Sequence, residues 1–470
     1  MREPVGDLAI VLHAHMPYVE GFGTYPFGEE WLFDAILRSY LPVLEFAESL
    51  SSSITPVLAD QLEAPGVPER LEAFIQEYRL GVAEAELAAA GPDLQPAARS
   101  QVERYRSALE LLGEVGGSPL EAFARPVREG RLDLLASSAT HAVLPLLATR
   151  RGLEMQIRAG IRSHEKRFGR AAGFWLPGCA YEPGLEFDLA REGVEWFPVD
   201  QTRHEPGDAA LVPVRTEAGP LAFTIDWEAV SWLWDISGYP AWEGYLDFHS
   251  KSFGGAHLWA ISGRPYDPDA AADRAVSDAD RFLESVAARL EAFRGQTGQQ
   301  GLVVMAFDFD LLGHWWAEGP LWLRTVLERA GPAGVRLLRL SEAAERGIER
   351  TAELSASTWG EKKDFRTWDG PGVFDLANGA RRAELRFDRA VREGLRGPKL
   401  ERAARELLAL QASDWAFLDG RGEAGDYAFE RAVGHARAAL EAIDCPDDEP
   451  PEPGVRHLTP ELGFGSLLTP

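Results

Sequence analysis

Leu8-Ala-Ile-Val-Leu12 runs directly into His13-Ala14-His15, and that junction decides the fold. Five apolar residues stop at a pair of histidines. The run is too short for a membrane span and has no cleavage-like site after it, so it reads as a buried strand. Outward from it the same pattern recurs at Ile54–Leu58, Leu132–Ala136, Gly173–Leu176, Glu195–Val199, Ala222–Ile225, Gly301–Phe307 and Val335–Leu340. Helical spacing fills the gaps: Trp31–Ser49, Gly152–Phe168, Gly184–Glu192, and a long run from the Asp267-Pro268-Asp269 start signal to about Phe293. Ser341 is a candidate N-cap for one more. Strand–helix alternation of this kind predicts an α/β fold, a parallel sheet with crossover helices closed into a barrel.

Two segments depart from the alternation. Residues 65–115 are rich in Glu, Ala and Leu and read as a helical insertion. From about residue 351 the strands stop. Leu400, Ala403, Ala404, Leu407 and Leu408 recur at helical spacing, as do Phe429, Val433, Ala436 and Leu440. The expected domains are therefore a barrel over 1–350 and a C-terminal α-helical domain over 351–445. An acidic, Pro-rich tail over 446–470 is expected to be loosely held.

Composition excludes partners. Among 470 residues, 48 Lys and Arg face 74 Asp and Glu, a net charge of −26. Such a chain offers phosphates no counterion-release term, so nucleic acid is not expected. Anionic lipid would repel it, and no stretch of 18 apolar residues spans a membrane. Two cysteines, Cys179 and Cys445, exclude a disulfide scaffold and a multi-Cys zinc framework, and suit a reducing cytoplasm. The 14 tryptophans are the unusual entry in the composition. Flat aromatic faces and carboxylates suit a neutral polyhydroxylated ligand such as a glycan, although packing also buries tryptophan.

In a parallel barrel, ligands and catalytic groups collect at the C-terminal ends of the strands. His13 and His15 end the first strand and share a face. His141 follows the third strand, Trp175 lies in the fourth, and Asp200 follows the fifth. Asp308 follows Leu302–Phe307, with Asp310, His314, Trp315 and Trp316 next. His-x-His is also a metal-ligand pair, and with His141 and Asp308 it would make a zinc site. No HExxH or CxxC accompanies it, so the histidines are read as hydroxyl-binding groups, with no metal and no cofactor.

His13-Ala-His-Met-Pro-Tyr18, followed by Tyr25-Pro-Phe-Gly-Glu-Glu30, resembles the first signature of the family 57 glycoside hydrolases, in particular their α-1,4-glucan branching enzymes. Ile54-Thr-Pro-Val-Leu58 is similar to the second, and Ser138-Ala-Thr-His141 with Leu144-Pro-Leu146 to another. Gly173-Phe-Trp-Leu-Pro177 resembles the nucleophile segment. Asp308 with Gly313-His-Trp-Trp-Ala-Glu-Gly319 resembles the acid/base segment. Ser357-Thr-Trp-Gly360, Trp368 and Ser413-Asp-Trp415 resemble the helical-domain motifs. The resemblance implies an incomplete (β/α)7 TIM-like barrel with a helical insertion and a C-terminal helical domain. It also implies retaining chemistry on α-1,4-glucans such as glycogen, amylose or maltooligosaccharides. Retention needs a carboxylate nucleophile and a carboxyl acid/base about 5–5.5 Å apart. By motif position Asp308 is the acid/base. The substrate-binding set is His13, His15, His141, Trp175, Trp234, Asp310, His314, Trp315, Trp316, Trp359, Trp368 and Trp415, with Trp415 the most core-like.

The nucleophile is missing. The sequence reads Trp175-Leu-Pro-Gly178-Cys-Ala-Tyr-Glu182, so the nucleophile position holds glycine. Losing a covalent nucleophile costs orders of magnitude in rate. Glu182 and Glu186 lie nearby in sequence but beyond a turn. The resemblance also implies a long loop over the active site, whereas Asp200–Trp232 is compact here. A shortened lid weakens the exclusion of water that glucan transfer needs. The expectation is a branching-enzyme relative with impaired or lost catalysis. The alternatives are an α-glucan hydrolase with an altered, inverting mechanism using Asp200, Asp310 or Glu182, or a non-catalytic glucan-binding or regulatory protein.

Overall fold

The computed structural model describes residues 3–20, 23, 27–204, 207–446, 457–460 and 463–467. Tyr25 and Pro26 of the first signature and residues 447–456 of the acidic tail lie outside the described residues. Ten strands are present among those described: β1 Gly6–Ala14, β2 Leu50–Ile54, β3 Leu132–Ser137, β4 Phe174–Trp175, β5 Trp196–Val199, β6 Val214–Arg215, β7 Leu221–Thr224, β8 Leu302–Asp308, β9 Val335–Leu337 and β10 Arg350–Thr351. The order β8-β1-β2-β3-β4 is parallel throughout. A parallel bridge from Gly173 to Trp196 carries the wall on to β5, and β5 pairs in parallel with β7. The Asp226 N–H then donates to the Val304 carbonyl of β8 at 2.7 Å and completes the circuit. Seven staves, β1 to β5 with β7 and β8, make an incomplete TIM-like barrel. β9 pairs with the N-terminal end of β1, and β6 and β10 extend the β5–β7 side.

The staves follow from residue size. β1 and the first six residues of β8 are buried, as strands enclosed by helices should be. β2 differs from the sequence reading, which placed it at Ile54–Leu58. The strand is Leu50-Ser-Ser-Ser-Ile54, and Pro56–Leu62 is a helix with Pro56 in its first turn. Three small hydroxyl residues suit the crowded barrel because each is bonded: Ser52 donates to the Leu12 carbonyl, Ser51 accepts from the Leu340 N–H, and Ser53 meets His13. Likewise β9 stops at Leu337, and the helix that follows is Leu340–Glu345. Ser341 is inside that helix rather than capping it; its N–H donates to Asp133.

Residues 67–114 are helical apart from a short break at 90–94. The C-terminal helices are Phe374–Arg392, Gly397–Leu410, Asp414–Arg421 and Tyr427–Asp444. Their core is shared with the barrel: Leu400, Leu407 and Trp415 cluster with Tyr18, Val57, Ala139 and Met155. The last helix is turned relative to the sequence reading. It buries Ala428, Ala432, Ala439 and Ala442, and leaves Phe429, Val433 and Leu440 exposed. Small residues let this helix approach its neighbours closely, and that decides the face. The end of the chain is also less loose than expected. Leu458 and Phe464 are wholly buried, and the Thr459 N–H donates to Asp60 at 2.7 Å. Among the described residues no helix is long and apolar enough to cross a membrane.

Candidate active-site cleft

A cleft of about 540 Å³ opens between the C-terminal ends of the staves and the helix Asp414–Arg421. β1 ends there with His13 and His15, and β8 with Asp308, which stands beside His13 in register. His141 follows β3 and holds a positive φ of 60°. A hydrogen-bonded ladder ties these histidines. His13 Nδ1 lies 2.6 Å from Ser53 Oγ and its Nε2 lies 2.9 Å from His141 Nε2. His141 Nδ1 reaches Ser413 Oγ at 2.7 Å. His15 bridges Thr55 Oγ1 and Asp414 Oδ1, both at 2.9 Å. The barrel is thereby stitched to the helical segment across the cleft floor. Burial, then the neighbouring His15, holds His13 and His141 well below the usual histidine range, so both are neutral near pH 7.

The acid side is equally distinct. Asp308 is pushed up to about 7, first by burial and then by the charge of Asp310. Burial raises Asp310 as well, against the Trp315 indole, which donates to it at 3.1 Å. A buried carboxyl near 7 is protonated for a large part of the time at neutral pH, which is what a general acid requires.

His15, His141 and Asp414 place ligand-type atoms within 4.8 Å of one another. They do not suit one ion. The rings of His15 and His141 are stacked, 4.0 Å apart and within 17° of parallel. Imidazole lone pairs lie in the ring plane, and zinc sits about 2.0–2.1 Å from nitrogen. One ion cannot lie in two parallel planes so far apart. The nitrogens are engaged already, by Thr55, Asp414, His13 and Ser413.

Of the residues singled out in the sequence, His13, His15, His141, Gly178, Trp234, Asp308, Asp310, Trp315, Trp359 and Trp368 line the cleft. Four do not. Trp175 lies beneath it, fully buried and stacked on His13 at 4.5 Å. His314 turns inward against Phe248 at 5.0 Å. Trp316 packs in the core on Trp322 and Tyr245. Trp415 is core too, its indole donating to the Ala409 carbonyl at 2.7 Å. Adjacent tryptophans in Trp315-Trp316 point opposite ways, so sequence could not separate them. Sequence reading passed over Trp31, Asp414, Phe417, Arg421 and Glu423, which also line the cleft. Asp414 is the middle residue of Ser413-Asp-Trp415, whose tryptophan is the more conspicuous sugar-binding type.

Gly178 is buried in a left-handed conformation, φ 60° and ψ 21°. A Cβ built there would lie 2.7 Å from Cη2 and 2.9 Å from Cζ2 of Trp368. The Trp359 N–H donates to the Gly178 carbonyl at 2.7 Å, so the turn is also held from the helical side. Three nearby carboxylates are engaged or displaced. Glu182 is exposed in a separate groove with Leu144, Pro145 and Asp188. Glu186 accepts from the Tyr181 hydroxyl and the Gly184 N–H. Asp200 is fully buried and paired with Lys363 at 2.7 Å.

Residues 9–355 match glycosyl hydrolase family 57, and residues 379–451 match the 1,4-alpha-glucan branching enzyme C-terminal family. The chain is 33% identical to a probable 1,4-alpha-glucan branching enzyme of Mycobacterium tuberculosis, over 93% of this chain and 91% of that one. It is 32% identical to a 1,4-alpha-glucan branching enzyme of Thermococcus kodakarensis, over 92% and 72%. The crystal structure of a GH57-type branching enzyme from Pyrococcus horikoshii superimposes with a TM-score of 0.89 at 32% identity, covering 93% of this chain and 90% of that one. An alpha-amylase structure from Thermotoga maritima follows at 0.82 and 26%, covering 93% of each. On barrel, cleft and matched sequence alike, the chain belongs to glycosyl hydrolase family 57.

Proposed function

We propose that this cleft binds α-1,4-glucan and that retaining transfer of the branching type is impaired or lost. One observation carries the reading: Gly178, which the resemblance places at the nucleophile position, has its side-chain direction filled by the Trp368 indole. Neither a carboxylate nor space for one is supplied there. What remains suits a neutral sugar polymer: neutral His13 and His141, a protonatable Asp308, and aromatic walls from Trp31, Trp234, Trp315 and Trp359. The short crossing after β5 supports the same reading. Among the described residues, 207–224 is a 3-10 turn and the antiparallel β6–β7 pair rather than a long loop. Two unpaired cysteines support a cytoplasmic setting.

Affinity electrophoresis in amylose gels tests the binding. Retardation is expected for the wild type and should weaken in Trp315→Ala and Trp234→Ala. Retardation that is absent in the wild type, or indifferent to both substitutions, rejects the glucan cleft.

One observation favours a second reading, hydrolysis with inversion. Asp414 accepts from His15 through Oδ1, while its Oδ2 is buried without a partner in the cleft shared with Asp308. An inverting pair uses one carboxyl as acid and the other as base. Water would attack the anomeric carbon and pass its proton to Asp414, while Asp308 gives its proton to the leaving oxygen. An α-linked glucan would then release a β-anomer. Proton NMR of the first-formed product tests this; α-product, or none, rejects it.

A further inference from the structure

The helix Trp227–Trp234 buries Ala229, Val230 and Leu233 and carries a tryptophan on either side of that face. Trp234 turns into the cleft. Trp232, two residues earlier, lies about 200° away round the helix, on the side that the cleft does not use. Its indole is 44% exposed and stacks on Tyr239, with ring centroids 5.5 Å apart and planes within 16°. Tyr239 is only 6% exposed and is backed in turn by Trp322 of the core, 6.4 Å away. The indole is therefore fixed from behind and open in front. Ile236, just beyond the helix, is 95% exposed. Asp235 and Ser237 edge the platform, Asp235 Oδ1 accepting from both the N–H and the hydroxyl of Ser237.

We propose that Trp232, backed by Tyr239, is a second α-glucan-binding platform outside the cleft. The proposal takes the identity of the sugar from the cleft reading and nothing else from it. A pyranose presents a face of C–H bonds, and such a face needs a flat, rigid ring open on one side. The stacked pair supplies that at low entropy cost, because Tyr239 already holds the indole still. A broad apolar groove, which a protein partner would use, is not what surrounds it: Ser231, Asp235 and Ser237 are polar and supply acceptors and donors for sugar hydroxyls. The platform also shares its helix with Trp234, so a polymer held in the cleft and a strand resting on Trp232 would meet one rigid element. Two weak sites on one chain raise avidity for a branched polymer without any new contact in either.

β-Cyclodextrin, a closed α-1,4-glucan ring, is the probe, and Trp315→Ala reports any binding of it in the cleft. Titration by tryptophan fluorescence and by calorimetry should show binding to the wild-type protein. Trp232→Ala should weaken it about tenfold or more, and Trp232→Tyr should retain most of it. Trp315→Ala, a cleft substitution, should leave it unchanged. Maltoheptaose should show two sites in the wild type and one in Trp232→Ala. Unchanged cyclodextrin affinity in Trp232→Ala, no cyclodextrin binding at all, or a single maltoheptaose site in the wild type that Trp232→Ala does not alter would overturn the platform. Failure of the cleft reading looks different: maltoheptaose binding would be untouched by Trp315→Ala while the cyclodextrin site stayed intact.

Discussion

The proposed loss of the nucleophile at Gly178 rests on two independent observations, and only one is written in the sequence. The missing carboxylate is read directly from Trp175-Leu-Pro-Gly178. The positive φ and the Trp368 ring against the missing Cβ are visible only in three dimensions. Gly178→Glu alone is therefore expected not to restore branching. It should destabilise the fold by about 1–3 kcal/mol for a side chain forced into a left-handed site, before any clash with the indole is counted. Thermal melts and an iodine-based branching assay check both halves; a stable, active Gly178→Glu protein would show that the indole yields readily. Asp308 gives a second prediction at this scale. Its folded pKa of about 7 lies above the unfolded value near 4. The native state then holds the proton more tightly, so this group's contribution is full below about pH 4 and is lost as pH rises through about 7. Asp308→Asn should raise the melting temperature at pH 8 more than at pH 5. An equal shift at both, or a loss at pH 8, would contradict the buried, proton-holding carboxyl.

Among the elements, alternation of apolar runs located six of the seven staves to within a residue or two. β2 escaped because its strand is Ser51-Ser-Ser53 between Leu50 and Ile54. Hydropathy alone cannot show that small hydroxyls are bonded inside a tight barrel. The helix Tyr427–Asp444 departs from its apolar periodicity for a related reason: Phe429, Val433 and Leu440 face outward, while four alanines with Tyr427 and Ile443 supply the apolar part of its inner face. Phe429→Ser and Leu440→Gln are therefore expected to change stability by no more than about 0.5 kcal/mol, the usual range for surface positions. Leu407→Ala, fully buried among the C-terminal helices, should cost about 2–5 kcal/mol. Chemical denaturation compares them, and a large loss from Phe429→Ser would mean that the outer face is covered in solution. The same limit applied to the site. Periodicity gathers strand ends, but it does not say which of Trp315 and Trp316 faces out, nor that Asp414 arrives from a helix more than a hundred residues beyond Asp308.

Across the whole molecule, barrel and helical segment are fastened at the cleft floor and again at the far end of the chain. His15–Asp414 and His141–Ser413 make the first fastening. Buried Leu458 and Phe464, the Thr459–Asp60 bond and the Arg405 guanidinium over the Phe464 ring make the second. Phe464→Ala is expected to cost about 3–5 kcal/mol and to open the C-terminal helices to limited proteolysis. Unchanged melting and cleavage would show that the chain end contributes little. The composition, −26 in charge and rich in tryptophan, reads differently once the rings have places. Some are core, such as Trp175, Trp316, Trp322 and Trp415. Others face the cleft or the surface beside it, where a neutral polymer can meet them. The most direct measurement is a proton NMR count of α-1,6 linkages after the wild-type protein is incubated with amylose. The proposed loss of the nucleophile at Gly178 predicts no increase over a protein-free control, while retardation in amylose gels persists. Accumulating α-1,6 signal that Asp308→Asn abolishes would contradict it.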